Sequence, residues 1–264
     1  MYQKQRQIQK LNSYIPAAEA FHALSDEPDC VFLDSSLVND LGRYSIIGTQ
    51  PYLKLIKDGD RFLINGKEET QITFEDYLRC YLKDHTDQNE SELPLVSGAV
   101  GYFSYDYGRE LQGVPSGEKD LVKIPEAVLI FYDVYLIEDC HKKETYLIAN
   151  GITEDAFGKI KEIEQKLLKK TEKAAEQKSS YNIIVTPNFE KEEYKKAVDD
   201  MIHYIIEGDI YITNMTQQLT IESDKAPLDV FYDLRRNNPS PFGGYMDYGD
   251  FQIVCASPER FLKM

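Results

Sequence analysis

The chain has 264 residues, 42% of them hydrophobic, enough for one large domain or two joined ones. A formal net charge of −15 argues against a nucleic-acid partner, because binding a phosphate backbone needs clustered Lys and Arg; a small anionic ligand could still be held by local positive charge. The opening MYQKQRQIQKLNSYIP has no apolar leader and no later run is long enough to span a bilayer, so a cytoplasmic protein with no membrane contact is expected.

The first half reads as strand-dominated. VFLDSS (31–36), YSIIG (44–48), YLKLI (52–56), FLI (62–64), AVGYFSYDYG (99–108), AVLIFYDVYLI (127–137) and TYLIA (145–149) are rich in β-branched and aromatic residues and lie near Gly, Pro, Asn or Asp. LIKDGDRFLING has the chemistry of a hairpin turning at Asp58-Gly59-Asp60. Short helices are predicted near 17–25 and 73–84. Cys30, Cys80, Cys140 and Cys255 are unevenly spaced with no CxxC, and read as small reduced core residues rather than a disulfide set or a zinc site.

From Glu154 to about Lys178 the composition turns charged, with Phe157, Ile160, Ile163 and Leu167 forming a narrow helical stripe. Lys178-Ser179-Ser180 reads as a linker, giving two domains, 1–178 and 179–264. YNIIVT then precedes a helix whose Tyr194, Val198, Met201, Ile202 and Ile205 repeat on one face, predicting that this face is buried, with Gly208 ending it. DIYITNMTQQLTI (209–221) alternates as a strand does. The face carrying Ile210 and Ile212 turns polar at Asn214 and Thr216, either because the strand emerges into water or because those side chains line a polar ligand cavity. GYMDY and FQIVCASPE form a second predicted hairpin around Tyr248-Gly249-Asp250, bringing the start of one strand beside the end of the other. Glu259 follows it, and its residue type alone fits either a solvated turn or a catalytic acid.

GRYSIIG (42–48), SGAVGYFSYDYGREL (97–111), EGDIYITNMTQQL (207–219), NPSPFGGYM (238–246) and SPERFL (257–262) together resemble the chorismate-utilising enzymes, in the family's order and across nearly the whole chain. Within that family, Asn214 and Pro241-Phe242 resemble the aminodeoxychorismate synthase branch, whereas Gln218 stands where that branch usually has Arg; anthranilate synthases are the near relatives. The resemblance implies an α+β fold of two layers, mostly antiparallel sheet with helices outside, cut at its C-terminus. It implies amination of chorismate to 4-amino-4-deoxychorismate in folate synthesis, with ammonia from a glutamine amidotransferase partner. The alternatives are an anthranilate synthase fragment and a non-catalytic amino-acid-binding or amidotransferase-docking module. Glu259 would be the proton-transferring carboxylate, with Asn214 and Thr216 in the substrate pocket. The family's active-site Lys and its Mg²⁺-binding carboxylates are expected beyond this chain, which should not turn over chorismate alone. Ser35, Arg43, Tyr44, Pro241, Phe242 and Gly243 stand where the family encloses L-tryptophan, although ordinary sheet packing would use the same residues.

Overall fold

The computed structural model describes residues 6–114, 122–169 and 183–263. They fall into two compact units, one built from the chain up to Ala174 together with Pro227 onward, the other from residues 175–226. The boundary expected at 178/179 and the end of the helix expected over 154–178 lie outside the described residues.

The first unit is a ten-stranded sheet in which every pairing is antiparallel. Its spine runs β1 (Gln7–Lys10), β8 (Glu144–Ala149), β7 (Ala127–Asp139), β3 (Tyr44–Asp58), β2 (Val31–Asp34), β11 (Phe242–Asp247) and β12 (Gln252–Ser257). Two further strands, β4 (Arg61–Ile64) and β5 (Lys67–Glu69), extend the end of β3, and β6 (Ala99–Phe103) pairs with β7. YSIIG and YLKLI are one 15-residue strand, not two; its register against β7 shifts between Pro51 and Leu53, where Pro51 has no N–H to donate. The β3–β4 hairpin turns at Gly59 as expected, with φ +58°.

One face of the sheet is covered by α1 (Ala17–Leu24), α4 (Ala156–Lys169) and α6 (Pro227–Asn237). Phe21, Leu24, Ile160, Ile163 and Phe231 from these helices pack on Phe32, Ile47, Leu136 and Tyr245. Phe157, assigned to the α4 stripe in sequence, is 54% exposed. The opposite face buries Val31, Tyr135, Ile137 and Ile148 under Leu93, Val96 and Tyr248. A third cluster joins Phe74, on α2 (Phe74–Asp84), to Phe62 and Phe131. Asp133 is fully buried in β7 and accepts hydrogen bonds from the amides of Ile152 and Thr153 at 3.0 and 2.8 Å, which pins the chain as it leaves β8.

The run 99–108 is not strand throughout. Strand β6 stops at Phe103, and Ser104 Oγ accepts from the Tyr107 amide at 3.1 Å, starting α3 (Tyr105–Leu111). The four cysteines are free; Cys30 is buried, whereas Cys80 is exposed on α2 and so is not a core residue.

The second unit pairs β9 (Ile183–Pro187) with β10 (Leu219–Ser223), and contains α5 (Lys191–Glu207). The amide of Glu190 donates to Glu193 Oε2 at 3.2 Å at the start of α5, and Gly208 ends it at φ +85°. The face expected to be buried is not: no residue of α5 is buried. Nor is 209–221 one strand. The ladder stops where the Gln218 amide donates to Asn188 Oδ1 at 2.8 Å and the Asn188 amide to the Gln218 carbonyl at 3.0 Å, leaving 209–218 without regular structure.

Candidate functional site

The C-terminal hairpin completes the first unit's sheet. Strand β11 pairs with β2, setting Gly243 opposite Asp34, while β12 places Ser257 opposite Phe242. The segments around FLDSS and NPSPFGG, far apart in sequence, therefore form one seam. Ser35 Oγ lies 2.8 Å from the Tyr44 carbonyl oxygen and 3.1 Å from that of Pro241. Ser36 Oγ donates to the Ser240 carbonyl at 3.2 Å and accepts from the Ser240 amide at 2.9 Å. Backbone approach is close at two glycines here, prohibitively so at Gly42 and tightly at Gly243. A Cβ on Gly42 would sit 2.4 Å from the Leu37 carbonyl oxygen and 3.0 Å from Pro241 Cα, and one on Gly243 would be 3.1 Å from Ser240 Oγ. The Ser240 side chain is buried, and its hydroxyl has no partner among the described residues.

Beneath the seam lies an ion pair absent from the sequence reading. Asp34 is 3% exposed, and its Oδ2 accepts from Arg235 Nε of α6 at 2.8 Å. Ser45 Oγ is 3.5 Å from Oδ1. Burial pushes the Asp34 carboxyl above the usual range even though Arg235 works against it. The available signal was an acid at the end of an apolar strand, VFLD; nothing local named its partner 201 residues away.

Arg43 and Tyr44 are committed differently. Arg43 forks onto Asp139, with Nη2 to Oδ2 at 2.7 Å, and its guanidinium stacks 4.7 Å above the Tyr44 ring. Burial would raise Asp139, but Arg43 and the amides of Lys142 and His141 outweigh it and hold this carboxyl below the usual range. Tyr44 packs with Ile46 in the cluster opposite the helices, where it lines a small cavity of about 230 Å³ with Ile8, Leu93 and Tyr146. Ser35, Pro241, Phe242 and Gly243 are thus gathered at the seam, while the side chains of Arg43 and Tyr44 turn to Asp139 and to the other face.

Glu259 follows β12 in an exposed turn that its neighbours fix. Ser257 Oγ donates to the Glu259 carbonyl at 3.1 Å and accepts from its amide at 3.4 Å. Arg260 donates to the Leu41 carbonyl at 3.4 Å and lies 5.0 Å from the centre of the Phe242 ring, joining the turn to the seam. Asn214 and Thr216 belong to the other unit, exposed in the stretch between α5 and β10. Among the described residues no group of three or more His, Cys, Asp or Glu could hold a metal ion. None of the described helices is long and apolar enough to cross a membrane.

A model of the chorismate binding enzymes matches residues 33–264, from the seam's first strand onward. The chain belongs to the chorismate binding enzyme family. It is 30% identical to anthranilate synthase component 1 of Acetivibrio thermocellus over 90% of this chain and 53% of that protein. It is also 30% identical to aminodeoxychorismate synthase component 1 of Bacillus subtilis, over 84% of this chain and 49% of that one. The chain therefore spans about half the length of the curated relatives it matches. The crystal structure of anthranilate synthase component I from Streptococcus pneumoniae superposes with a TM-score of 0.68 at 24% identity, over 84% of this chain and 52% of that one, so the fold is that of the anthranilate synthase components.

Proposed function

We propose that this chain supplies part of an enzyme that aminates chorismate, converting chorismate and ammonia to 4-amino-4-deoxychorismate and water on the folate pathway. The observation that carries the reading is the family match over residues 33–264, which takes in the fixed turn of Glu259. Hydroxide leaves poorly, so the departing C4 oxygen needs a proton, and Glu259 is the carboxyl that this reading assigns to give it. Ser257 bonds the Glu259 backbone and Arg260 ties the turn to Leu41, which supports a fixed position for the backbone that carries this carboxyl. Magnesium is the expected cofactor of the whole enzyme, but the described residues do not make a site for it and no step here runs through it.

Asn214 and Phe242 support the aminodeoxychorismate branch over the anthranilate branch, and component 1 in the relatives' names supports a separate glutamine amidotransferase as the ammonia source. The deciding test assembles the active enzyme around this chain, supplies chorismate, Mg²⁺ and an ammonium salt, and weighs the product. Anthranilate with released pyruvate would refute the branch. At the seam, the Ser240 hydroxyl supports an amino-acid ligand, L-tryptophan, because a buried hydroxyl without a partner costs about 1–3 kcal/mol unless something bonds it.

A further inference from the structure

Glu259 is exposed, in a turn that follows the last strand of the sheet. A side chain so placed swings freely unless the backbone under it is tied, and a reacting group displaced by about 1 Å can lose about 100-fold in rate. Ser257 Oγ supplies a local tie. Arg260 supplies two that reach further. Its guanidinium folds back over the hairpin to lie 5.0 Å from the centre of the Phe242 ring, and Phe242 is the residue opposite Ser257 in the β11–β12 register. Its Nη2 also donates to the Leu41 carbonyl at 3.4 Å, which carries the tie to the loop between β2 and β3. That loop holds the carbonyl in place. Asn39 Oδ1 accepts from the amides of Leu41 and Gly42 at 2.9 and 2.8 Å, and the Asn39 amide donates to the Gly42 carbonyl at 3.2 Å. At the other end the Leu37 amide donates to the Ser240 carbonyl at 3.0 Å, and Gly42 is buried against Pro241. Leu37, Val38 and Leu41 are 42%, 49% and 51% exposed, so burial adds little to the order of this loop and the Asn39 hydrogen bonds are what fix it.

We propose that Asn39 and Arg260 are positioning residues for Glu259, acting as one clamp: Asn39 shapes the loop that presents the Leu41 carbonyl, and Arg260, braced on Phe242, uses that carbonyl to hold the turn from which the Glu259 carboxyl projects. Neither side chain touches the reacting atoms. The inference rests on the proton-donor role proposed for Glu259 and adds the residues that set where that donor stands. Asn39 and Arg260 are both exposed, and contacts at the surface add little to folding. Their loss should therefore appear in the rate of the chemical step and not in the stability of the sheet.

The test has two readouts. In the 264-residue chain, ¹⁵N relaxation should give Glu259 a backbone order parameter close to that of a rigid segment, about 0.8, and Arg260→Met or Asn39→Leu should each lower it toward about 0.6 while the thermal transition of the first unit stays where it was. In the active assembly, each of these variants should lower kcat by about 10-fold with KM little changed, and the double variant should lose no more than either single one, because both break the same clamp. Arg260→Lys, which can still donate to the carbonyl, and Asn39→Asp, which can still accept both amides, should recover kcat to within about threefold of the unaltered enzyme. An unchanged order parameter in Arg260→Met would overturn the clamp, as would losses of kcat that multiply in the double variant or that follow a lowered thermal transition. Glu259→Gln in the same assembly tells the two failures apart. If it abolishes turnover while Arg260→Met and Asn39→Leu keep full kcat, the clamp fails and the reaction stands; if it leaves kcat unchanged, the proton-donor reading fails and takes the positioning role with it.

Discussion

Removing Arg235 should unfold the first unit more readily, and the size of the loss should depend on pH. In Arg235→Ala, Asp34, whose side chain is 2% exposed, loses its cation and keeps hydroxyl neighbours, Ser36 and Ser45, the latter with Oγ at 3.5 Å. A buried charge stripped of its partner costs about 3–5 kcal/mol; since the Arg235 side chain is 33% exposed, water can reach the gap it leaves and about 2–3 kcal/mol is expected at pH 8. The carboxyl can escape this cost by taking up a proton. Measured from an unfolded carboxyl near 3.9, protonation costs about 1.4 kcal/mol per pH unit, which caps the loss at roughly 1.5 kcal/mol at pH 5. The sign is set by the raised carboxyl of the folded state, which binds protons more readily than the unfolded chain; stability attributable to Asp34 falls as pH rises, and losing Arg235 steepens that fall. Urea unfolding followed by near-ultraviolet circular dichroism of the 19 tyrosines would measure it, as the chain has no tryptophan. Adding Asp34→Asn to Arg235→Ala should recover most of the pH 8 loss. Equal losses at pH 5 and pH 8, or no recovery in the double variant, would refute the argument.

In an active assembly, Glu259→Gln should lower kcat by about 10²- to 10⁴-fold with KM little changed, the signature of a lost proton donor; an unchanged kcat removes Glu259 from the chemistry. Gly42→Ala should cost about 1–3 kcal/mol and speed proteolysis near residues 37–42, because its Cβ would fall 2.4 Å from the Leu37 carbonyl oxygen. L-tryptophan should raise Tm by mass action, and Ser240→Ala should shrink that shift while barely moving Tm without ligand; no shift at millimolar tryptophan would leave the seam as packing alone.

What could be read from the sequence followed its periodicities. The strands that make up β2, β3, β7 and β8 announced themselves through β-branched and aromatic runs, and both hairpins through glycine-centred turns. The contact of FLDSS with NPSPFGG was legible only through resemblance, since the hydrogen bond between Ser35 and Pro241 spans 206 residues and leaves no local pattern. Alternation misled at 209–218, because a polar-apolar rhythm does not supply a partner strand, and β9 had already ended at Pro187. Helix α6 went unassigned although Pro227 stands at its first position and Leu228, Phe231 and Tyr232 share one face, a signal diluted by the charged residues between them. Asp34 with Arg235 was invisible because each residue, taken singly, has the composition of a surface.

The pairing of β2 with β11 bears on how the protein is made. Ser35 and Pro241 are separated by 206 residues, so a ribosome adding about 5–20 residues per second delivers the second roughly 10–40 s after the first. Throughout that interval the nascent chain carries β2 with one edge unpaired and the Asp34 carboxylate without its arginine. An unsatisfied edge and an unpaired acid beside an apolar strand are what a holding chaperone recognises and what a neighbouring nascent chain can misuse. For this seam, synthesis rather than the finished fold is the stage most exposed to aggregation.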